Sequence, residues 1–111
     1  MNDSNLLLSI AVLGGTGKEG KGLAFRWARA GYHVHIGSRS AEKAIAAANE
    51  IREMLGDGIS ISGMSNPEAA RDSNIIVLTV PYSAHRDTLE SVKEELKGKL
   101  LVDVTVPLVP P

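Results

Sequence analysis

A glycine-rich turn constrains this chain more than any other part of its sequence. An apolar run at residues 10–13 leads into Gly14, after which Gly15, Gly17 and Gly20 fit the pattern G-x-G-x-x-G. This pattern binds the phosphates of a dinucleotide when it follows a strand and opens a helix, and both contexts are expected here. We expect Gly15 to form the tight turn, Gly17 to leave room for a pyrophosphate, and Gly20 to let the helix pack closely on the strand. The motif alone is also compatible with a glycine-rich turn that binds nothing.

The rest of the chain alternates between apolar runs and helical patterns. Further strands are predicted at residues 32–36, 59–62, 75–80 and 100–106, and helices at residues 21–30, 41–55, 66–72 and 83–96. Ser40 is the expected N-cap of the second helix, and Asn66, followed by Pro67 and Glu68, is the expected cap of the third. This alternation predicts an α/β fold, a Rossmann-type doubly wound parallel sheet of about five strands with helices on both faces.

Composition limits the classes of function. The chain has 111 residues, a formal net charge of -1 and no cysteine. That length predicts one domain, and the charge predicts no nucleic-acid partner and no attraction to an anionic membrane. The absence of cysteine excludes thiolate metal sites and fits a reducing compartment. With neither a membrane span nor a basic leader in the sequence, a cytoplasmic location is expected.

The residues after the second predicted strand indicate which dinucleotide is preferred. A domain that binds NAD places an acidic residue there for the ribose hydroxyls, whereas this sequence has Ser38 and Arg39, with Lys43 in the first turn of the next helix. A guanidinium beside a hydroxyl suits a 2'-phosphate, and a bound anion would offset the unfavourable position of Lys43 at a helix start. The alternative is that Arg39 and Lys43 are solvated surface charges.

Other candidate residues allow two interpretations each. His33 and His35 lie two apart on one strand and could bind a metal, but no third ligand is evident, so ordinary strand histidines are the favoured interpretation. His85 opens the helix after strand four, beside the expected nicotinamide half of the site, and is otherwise a surface residue at a helix start. Asp103 is expected to be a structural hydrogen-bonding group.

Four segments together resemble the F420-dependent NADP reductases, which are NADPH:coenzyme F420 oxidoreductases. The segments are IAVLGGTGKEG from residue 10, IGSRSAEKA from residue 36, TVP from residue 79 and VDVTVPLVPP from residue 102. The resemblance runs along nearly the whole chain. It implies that phosphates bind at the glycine turn and Thr16, that the 2'-phosphate binds at Ser38, Arg39 and Lys43, and that the nicotinamide lies near residues 79–81. It also implies a deazaflavin held against a C-terminal part, and a homodimer.

The motifs and the resemblance give one set of predicted site residues. No catalytic side chain is predicted, because the two cofactors carry hydride transfer themselves. No metal ligand is predicted, because no third ligand accompanies the two strand histidines. The predicted cofactor-binding residues are Gly15, Thr16, Gly17, Lys18, Glu19, Gly20, Ser38, Arg39, Lys43, Thr79, Val80, Pro81 and His85.

The function implied by the resemblance is hydride transfer between NADP(H) and coenzyme F420. Two alternatives remain, an NADP-dependent reductase of another small substrate such as an imine or ketone, and a non-catalytic NADP-binding module. The sequence contains no nucleophile elbow and no paired carboxylates, which counts against a hydrolase. Residues 1–111 are predicted to form the NADP-binding Rossmann domain, to fold and to bind NADPH, and to be a poor F420 reductase without the family's C-terminal part. The apolar, proline-rich residues 105–111 are expected to be a connection or a docking segment.

Overall fold

The computed structural model describes residues 8–104, which form one parallel sheet with helices on both faces. The strands are β1 (Ser9–Leu13), β2 (His33–Ser38), β3 (Ser60–Ser65), β4 (Ile75–Leu78) and β5 (Leu100–Asp103). The helices are α1 (Lys18–Arg29), α2 (Ala41–Leu55), α3 (Asn66–Arg71) and α4 (His85–Ser91), with a single 3₁₀ turn (Tyr82–Ala84) before α4. The strand order is β3-β2-β1-β4-β5, and every neighbouring pair is parallel. The predicted fold class is therefore confirmed.

The sheet separates two hydrophobic cores, one on each of its faces. Ile10, Val12, Val34 and Ile36 face α1 and α2, where they pack on small residues of both helices. The residues between them, such as Leu13, face α3 and α4. Burial on both faces explains why β1 and β4 are apolar runs, whereas β2 alternates half-buried His33 and His35 with buried Val34 and Ile36.

The second helix lies unusually close to the sheet because Gly63 of β3 has no side chain. A Cβ at Gly63 would overlap the backbone of Ala44 and Ile45, near the start of α2. Ser40 caps this helix by accepting a hydrogen bond from the Lys43 N–H at 3.3 Å, as predicted. The bounds of α2 are also those predicted from the sequence.

The N-cap of the third helix is not the predicted Asn66. Ser65 is the N-cap, and its hydroxyl accepts from the Glu68 N–H while the Glu68 carboxylate accepts from the Ser65 N–H. This reciprocal capping box satisfies two backbone donors, which a lone Asn66 cap would not do. Asn66 becomes the first residue of the helix, and its side chain turns toward the sheet instead.

The fourth helix is shorter than the predicted span of residues 83–96. After Ser91 the backbone tightens into turns, with Val92 N–H bonding to Leu89 O at 3.2 Å and Lys93 N–H bonding to Glu90 O at 3.4 Å. Val92 is still fully buried, and Leu96 packs beside it. The apolar spacing therefore predicted the residues that reach the core. Leu89 lies on α4, whereas Val92 and Leu96 lie in the turns that follow it. The last predicted strand is described only to Asp103, and residues 105–111 lie outside the described part.

Candidate functional site

A cavity of about 700 Å³ opens at the carboxyl ends of the central strands. Strand order reverses between β1 and β4, so the helices that follow these two strands diverge to opposite faces and leave a crevice. The cavity is lined by residues from the ends of β1, β2, β3 and β4, namely Gly14, Thr16, Gly17, Lys18, Glu19, Ser38, Arg39, Ser40, Lys43, Asn66, Thr79, Val80, Pro81, Ala84 and Thr88.

The turn into the cavity depends on Gly14, which the sequence motif did not single out. Gly14 has a φ of 72°, a left-handed conformation that favours glycine, and a Cβ there would also overlap Val80. Gly15 lies in the same turn but does not take a positive φ. Its missing side chain serves packing instead, because a Cβ would lie 2.7 Å from Val12 O and 2.9 Å from Ile36 Cγ2. Gly15 is buried and does not line the cavity.

The other two glycines of the motif differ in their surroundings. A Cβ on Gly17 would meet only Gly14 O, at 3.9 Å, so the space above Gly17 is open to the cavity. A Cβ on Gly20 would lie 2.6 Å from Gly15 Cα and 2.8 Å from Thr79 Oγ1, so the first turn of α1 packs directly on the loop. Gly20 therefore acts from behind the cavity wall, whereas Gly17 forms part of its surface.

The N-terminus of α1 points free backbone donors into this space. Gly17 is the N-cap with an extended backbone, and no side chain caps the helix. The first N–H groups of a helix have no partner within it, and the helix dipole makes them attractive to an anion. Lys18 and Glu19 are exposed at this end and line the cavity.

The end of β2 combines one buried hydroxyl with two exposed cations. The Ser38 side chain is 8% exposed, and its Oγ accepts from the Ser40 N–H at 3.1 Å, which leaves the hydroxyl proton available to a ligand. Arg39 and Lys43 are exposed at the rim. Within residues 8–104 neither forms an ion pair. Two cations without carboxylate partners beside a hydroxyl are suited to bind a phosphate.

The end of β4 is tied firmly to the end of β1. Thr79 donates to Leu13 O from its backbone N–H at 3.0 Å and from its Oγ1 at 2.8 Å. Because its proton is used in this way, the Thr79 hydroxyl can only accept a further hydrogen bond. Val80 and Pro81 follow and line the opposite wall from Ser38.

The comparisons with known proteins agree with this geometry. Residues 9–107 match the family described as NADP oxidoreductase, coenzyme F420-dependent. The chain belongs to this family. Two curated F420-dependent NADP reductases of this family are similar along most of the chain. That of Methanothermobacter marburgensis is 52% identical over 102 residues, 91% of this chain and 46% of the relative. That of Methanothermobacter thermautotrophicus is 49% identical over 104 residues, 93% of this chain and 45% of the relative.

A solved structure supports the same membership in the F420-dependent NADP oxidoreductase family. An Arthrobacter protein assigned as an F420-dependent NADP reductase superimposes with a TM-score of 0.71 at 26% identity, covering 88% of this chain and 44% of the other. The chain thus spans about half the length of the relatives that it matches.

For this family member, sequence reasoning found most of the cavity wall and missed five of its residues. Ten of the thirteen predicted cofactor-binding residues line the cavity, and Gly15, Gly20 and His85 do not. The missed residues are Gly14, Ser40, Asn66, Ala84 and Thr88. Gly14 and Ser40 adjoin predicted residues, and Asn66 follows β3 just as Ser38 and Thr79 follow their own strands, so position at a strand end was the available signal.

His85 lies beside the cavity rather than in its wall. Its Nε2 is 2.6 Å from Asp103 Oδ2, at the end of β5. This contact agrees with the expected hydrogen-bonding role of Asp103. It also makes His85 a link between the start of α4 and the edge strand.

The two strand histidines each contact a serine of the neighbouring strand. His33 Nδ1 lies 2.8 Å from Ser60 Oγ and His35 Nδ1 lies 3.1 Å from Ser62 Oγ, across β2 and β3. In residues 8–104 no group of three or more histidine, aspartate or glutamate side chains could hold a metal ion. No helix in that part of the chain is long and apolar enough to cross a membrane.

Burial of His35 predicts a pH dependence of stability. Loss of hydration lowers the pKa of His35 from its usual 6.5; nearby Asp72 opposes the shift and His33 adds to it. Because the unfolded chain binds the proton more readily, the contribution of His35 to stability is complete above pH 6.5 and is lost as the pH falls below that value. We expect a His35→Gln variant to show a flatter decline of melting temperature between about pH 7.5 and about pH 5. Parallel declines for the two proteins would contradict this assignment.

Proposed function

We propose that this chain is the NADP(H)-binding part of an oxidoreductase that transfers a hydride between NADP(H) and coenzyme F420. The observation that carries the proposal is the cavity at the switch point, which an open glycine turn after β1 and the cationic end of β2 line side by side. The family and the names of the curated relatives support the same pair of cofactors. They favour F420 over another small substrate such as an imine or ketone.

The described residues fit a 2'-phosphorylated dinucleotide. The space above Gly17 accepts groups that any side chain would displace, and the uncapped N-terminus of α1 supplies donors for the pyrophosphate. Ser38, Arg39 and Lys43 supply a hydroxyl and two positive charges for the 2'-phosphate. The absence of an acidic residue at this point removes the group that would repel that phosphate.

The side chains of the site bind and orient; they do not supply the reacting groups. When bound, the two cofactors themselves carry the hydride, between C4 of the nicotinamide and C5 of the deazaflavin. Thr79 holds the ends of β1 and β4 together, so Val80 and Pro81 present a fixed surface beside the glycine turn. Such a fixed surface can orient a nicotinamide ring and exclude water from one of its faces.

The proposal predicts a preference for NADPH over NADH that depends on Arg39. Loss of a charged contact to phosphate in an Arg39→Ala variant is expected to weaken NADPH binding about tenfold to a hundredfold and to leave NADH binding unchanged. Isothermal titration calorimetry with both cofactors measures the effect. Arg26→Ala is the matched control, because Arg26 is an exposed arginine of α1 that does not line the cavity. Equal affinity of the unmutated chain for NADPH and NADH would exclude the proposed selectivity.

The proposed activity is tested by hydride exchange between NADPH and F420. We expect residues 1–111 alone to bind NADPH but exchange hydride slowly, because a deazaflavin needs a second wall to hold it in contact. The same assay on a chain lengthened by a relative's C-terminal part should restore turnover. Binding without exchange in both chains would support a non-catalytic NADP-binding module instead.

We further propose a cytoplasmic homodimer with no nucleic-acid partner. The net charge of -1 and the lack of cysteine support the first and last points. Exposed Leu100, Leu101 and Val102 on β5 support an association through this edge. Light scattering coupled to size-exclusion chromatography measures the oligomeric state.

A further inference from the structure

Asn66 is a buried polar side chain between the ends of two strands. Its side chain is 3% exposed and lines the cavity. Its Oδ1 accepts from the Gly14 N–H at 3.4 Å, and a Cβ on Gly37 would lie 2.7 Å from the same oxygen. Asn66 therefore binds the glycine turn after β1 and lies close to the end of β2, next to Ser38.

The amide nitrogen of Asn66 is a donor without a protein acceptor. Because the Gly14 N–H donates to one end of the Asn66 amide, that end is the oxygen, Oδ1. The other end is therefore Nδ2, which carries the two protons. In the part of the chain that the structure describes, Nδ2 donates to no protein atom. Nδ2 is nevertheless not a solvent-inaccessible atom without a partner; in the described residues that description applies to the side-chain atom Ser73 Oγ. Because Nδ2 is not sealed and Asn66 lines the cavity, its donors are accessible from the cavity.

Resting on the proposed function, we propose that Asn66 is a specificity-determining residue for the phosphorylated adenosine ribose. Its Oδ1 fixes the glycine turn through Gly14, and its Nδ2 donates to a ribose or 2'-phosphate oxygen held beside Ser38. Buried amide groups satisfy their donors, and an oxygen-rich ligand at this position supplies the missing acceptor. One side chain thus couples the shape of the pyrophosphate turn to recognition of the ribose end.

Nuclear magnetic resonance of the side-chain amides tests this contact directly. Titration with adenosine 2',5'-bisphosphate is expected to shift the Asn66 NH₂ resonances together with the backbone amide of Ser38. The Asn74 side chain is the internal control, because its Oδ1 also accepts a backbone bond, from Ser9 at 3.1 Å, at the opposite end of the sheet. Its resonances should stay in place. Movement of Ser38 without movement of Asn66 would overturn this inference alone, whereas no movement of either would overturn the proposed function and this inference with it.

Two substitutions separate the donor from the acceptor. Asn66→Asp keeps an acceptor for Gly14 but replaces the donor with a negative charge, while Asn66→Ala removes donor and acceptor and adds no charge. We expect each to weaken binding of adenosine 2',5'-bisphosphate about tenfold or more by calorimetry, with Asn74→Asp unchanged. Asn66→Asp that binds as tightly as the unmutated chain would reduce Asn66 to a support for Gly14 and refute the proposal. Circular dichroism melts of each variant verify that the chain remains folded.

Discussion

A Gly17→Val variant is expected to remain folded and to lose NADPH binding, by more than about a hundredfold in affinity. Gly17 has a φ of -78° and a ψ of 170°, a conformation that valine adopts readily. A Cβ there meets only Gly14 O, at 3.9 Å, so the fold does not resist the new side chain. The valine methyl groups would instead occupy the space proposed for the pyrophosphate. The pyrophosphate could then no longer reach the backbone donors at the start of α1.

Gly22→Val is the matched control for this experiment. Gly22 is exposed on the same helix, and a Cβ there also meets nothing within 4 Å, but Gly22 does not line the cavity. Calorimetric titration with NADPH and thermal melts on both variants separate binding from folding. If Gly17→Val retains the affinity of the unmutated chain, the pyrophosphate does not lie against Gly17.

The largest expected effect on stability is that of Gly63→Ala. The added methyl group would overlap the backbone of Ala44 and Ile45, and backbone cannot rotate away as a flexible side chain does. Relief requires α2 to move off the sheet, which disrupts its contacts through Ala47, Ala48 and Ile51. We expect a loss of about 3 kcal/mol or more, which is a fall in melting temperature of about 12 °C or more for a domain of this size.

Gly58→Ala is the control for the chemical change itself. A Cβ on Gly58 meets nothing within 4 Å, and its φ is not positive, so alanine fits there. Thermal unfolding followed by circular dichroism compares the two variants. A Gly63→Ala melting temperature close to that of Gly58→Ala would mean that α2 can shift on the sheet at little cost. Because α2 carries Ser40 and Lys43, we also expect Gly63→Ala to weaken NADPH binding wherever it stays folded.

The topology and most of the cavity wall could be predicted because they depend on patterns local in sequence. An apolar run, a glycine motif and a helical pattern in succession determine strand, turn and helix, and parallel strands bring their carboxyl ends to one edge. Ser38 and Arg39 were found in this way, since their distance from the glycines is a property of the chain alone.

Two of the differences depend on packing, and one depends on a sequence pattern that the prediction did not use. The motif does not indicate which glycine takes a positive φ; the structure shows that it is Gly14, where a Cβ would also overlap Val80. Asparagine is a good cap, but Ser65 and Glu68 together satisfy two donors where Asn66 would satisfy one. The pattern S-x-x-E was present in the sequence and indicates the correct cap. The length of α4 depends on how Val92 and Leu96 reach the core, which spacing does not specify.

The exposure of Arg39 and Lys43 bears on how such a domain can change during evolution. Both side chains lie at the rim and belong to neither core cluster, and within residues 8–104 neither forms an ion pair. Surface substitutions without such contacts usually alter stability by less than about 0.5 kcal/mol. An exchange of Arg39 for an acidic residue would therefore reverse the charge at the proposed 2'-phosphate site while leaving β2 and α2 undisturbed. The proposed nucleotide preference of this domain can thus change by mutation at little cost to stability, whereas Gly15 and Gly20, packed behind the cavity wall, cannot be replaced without a clash.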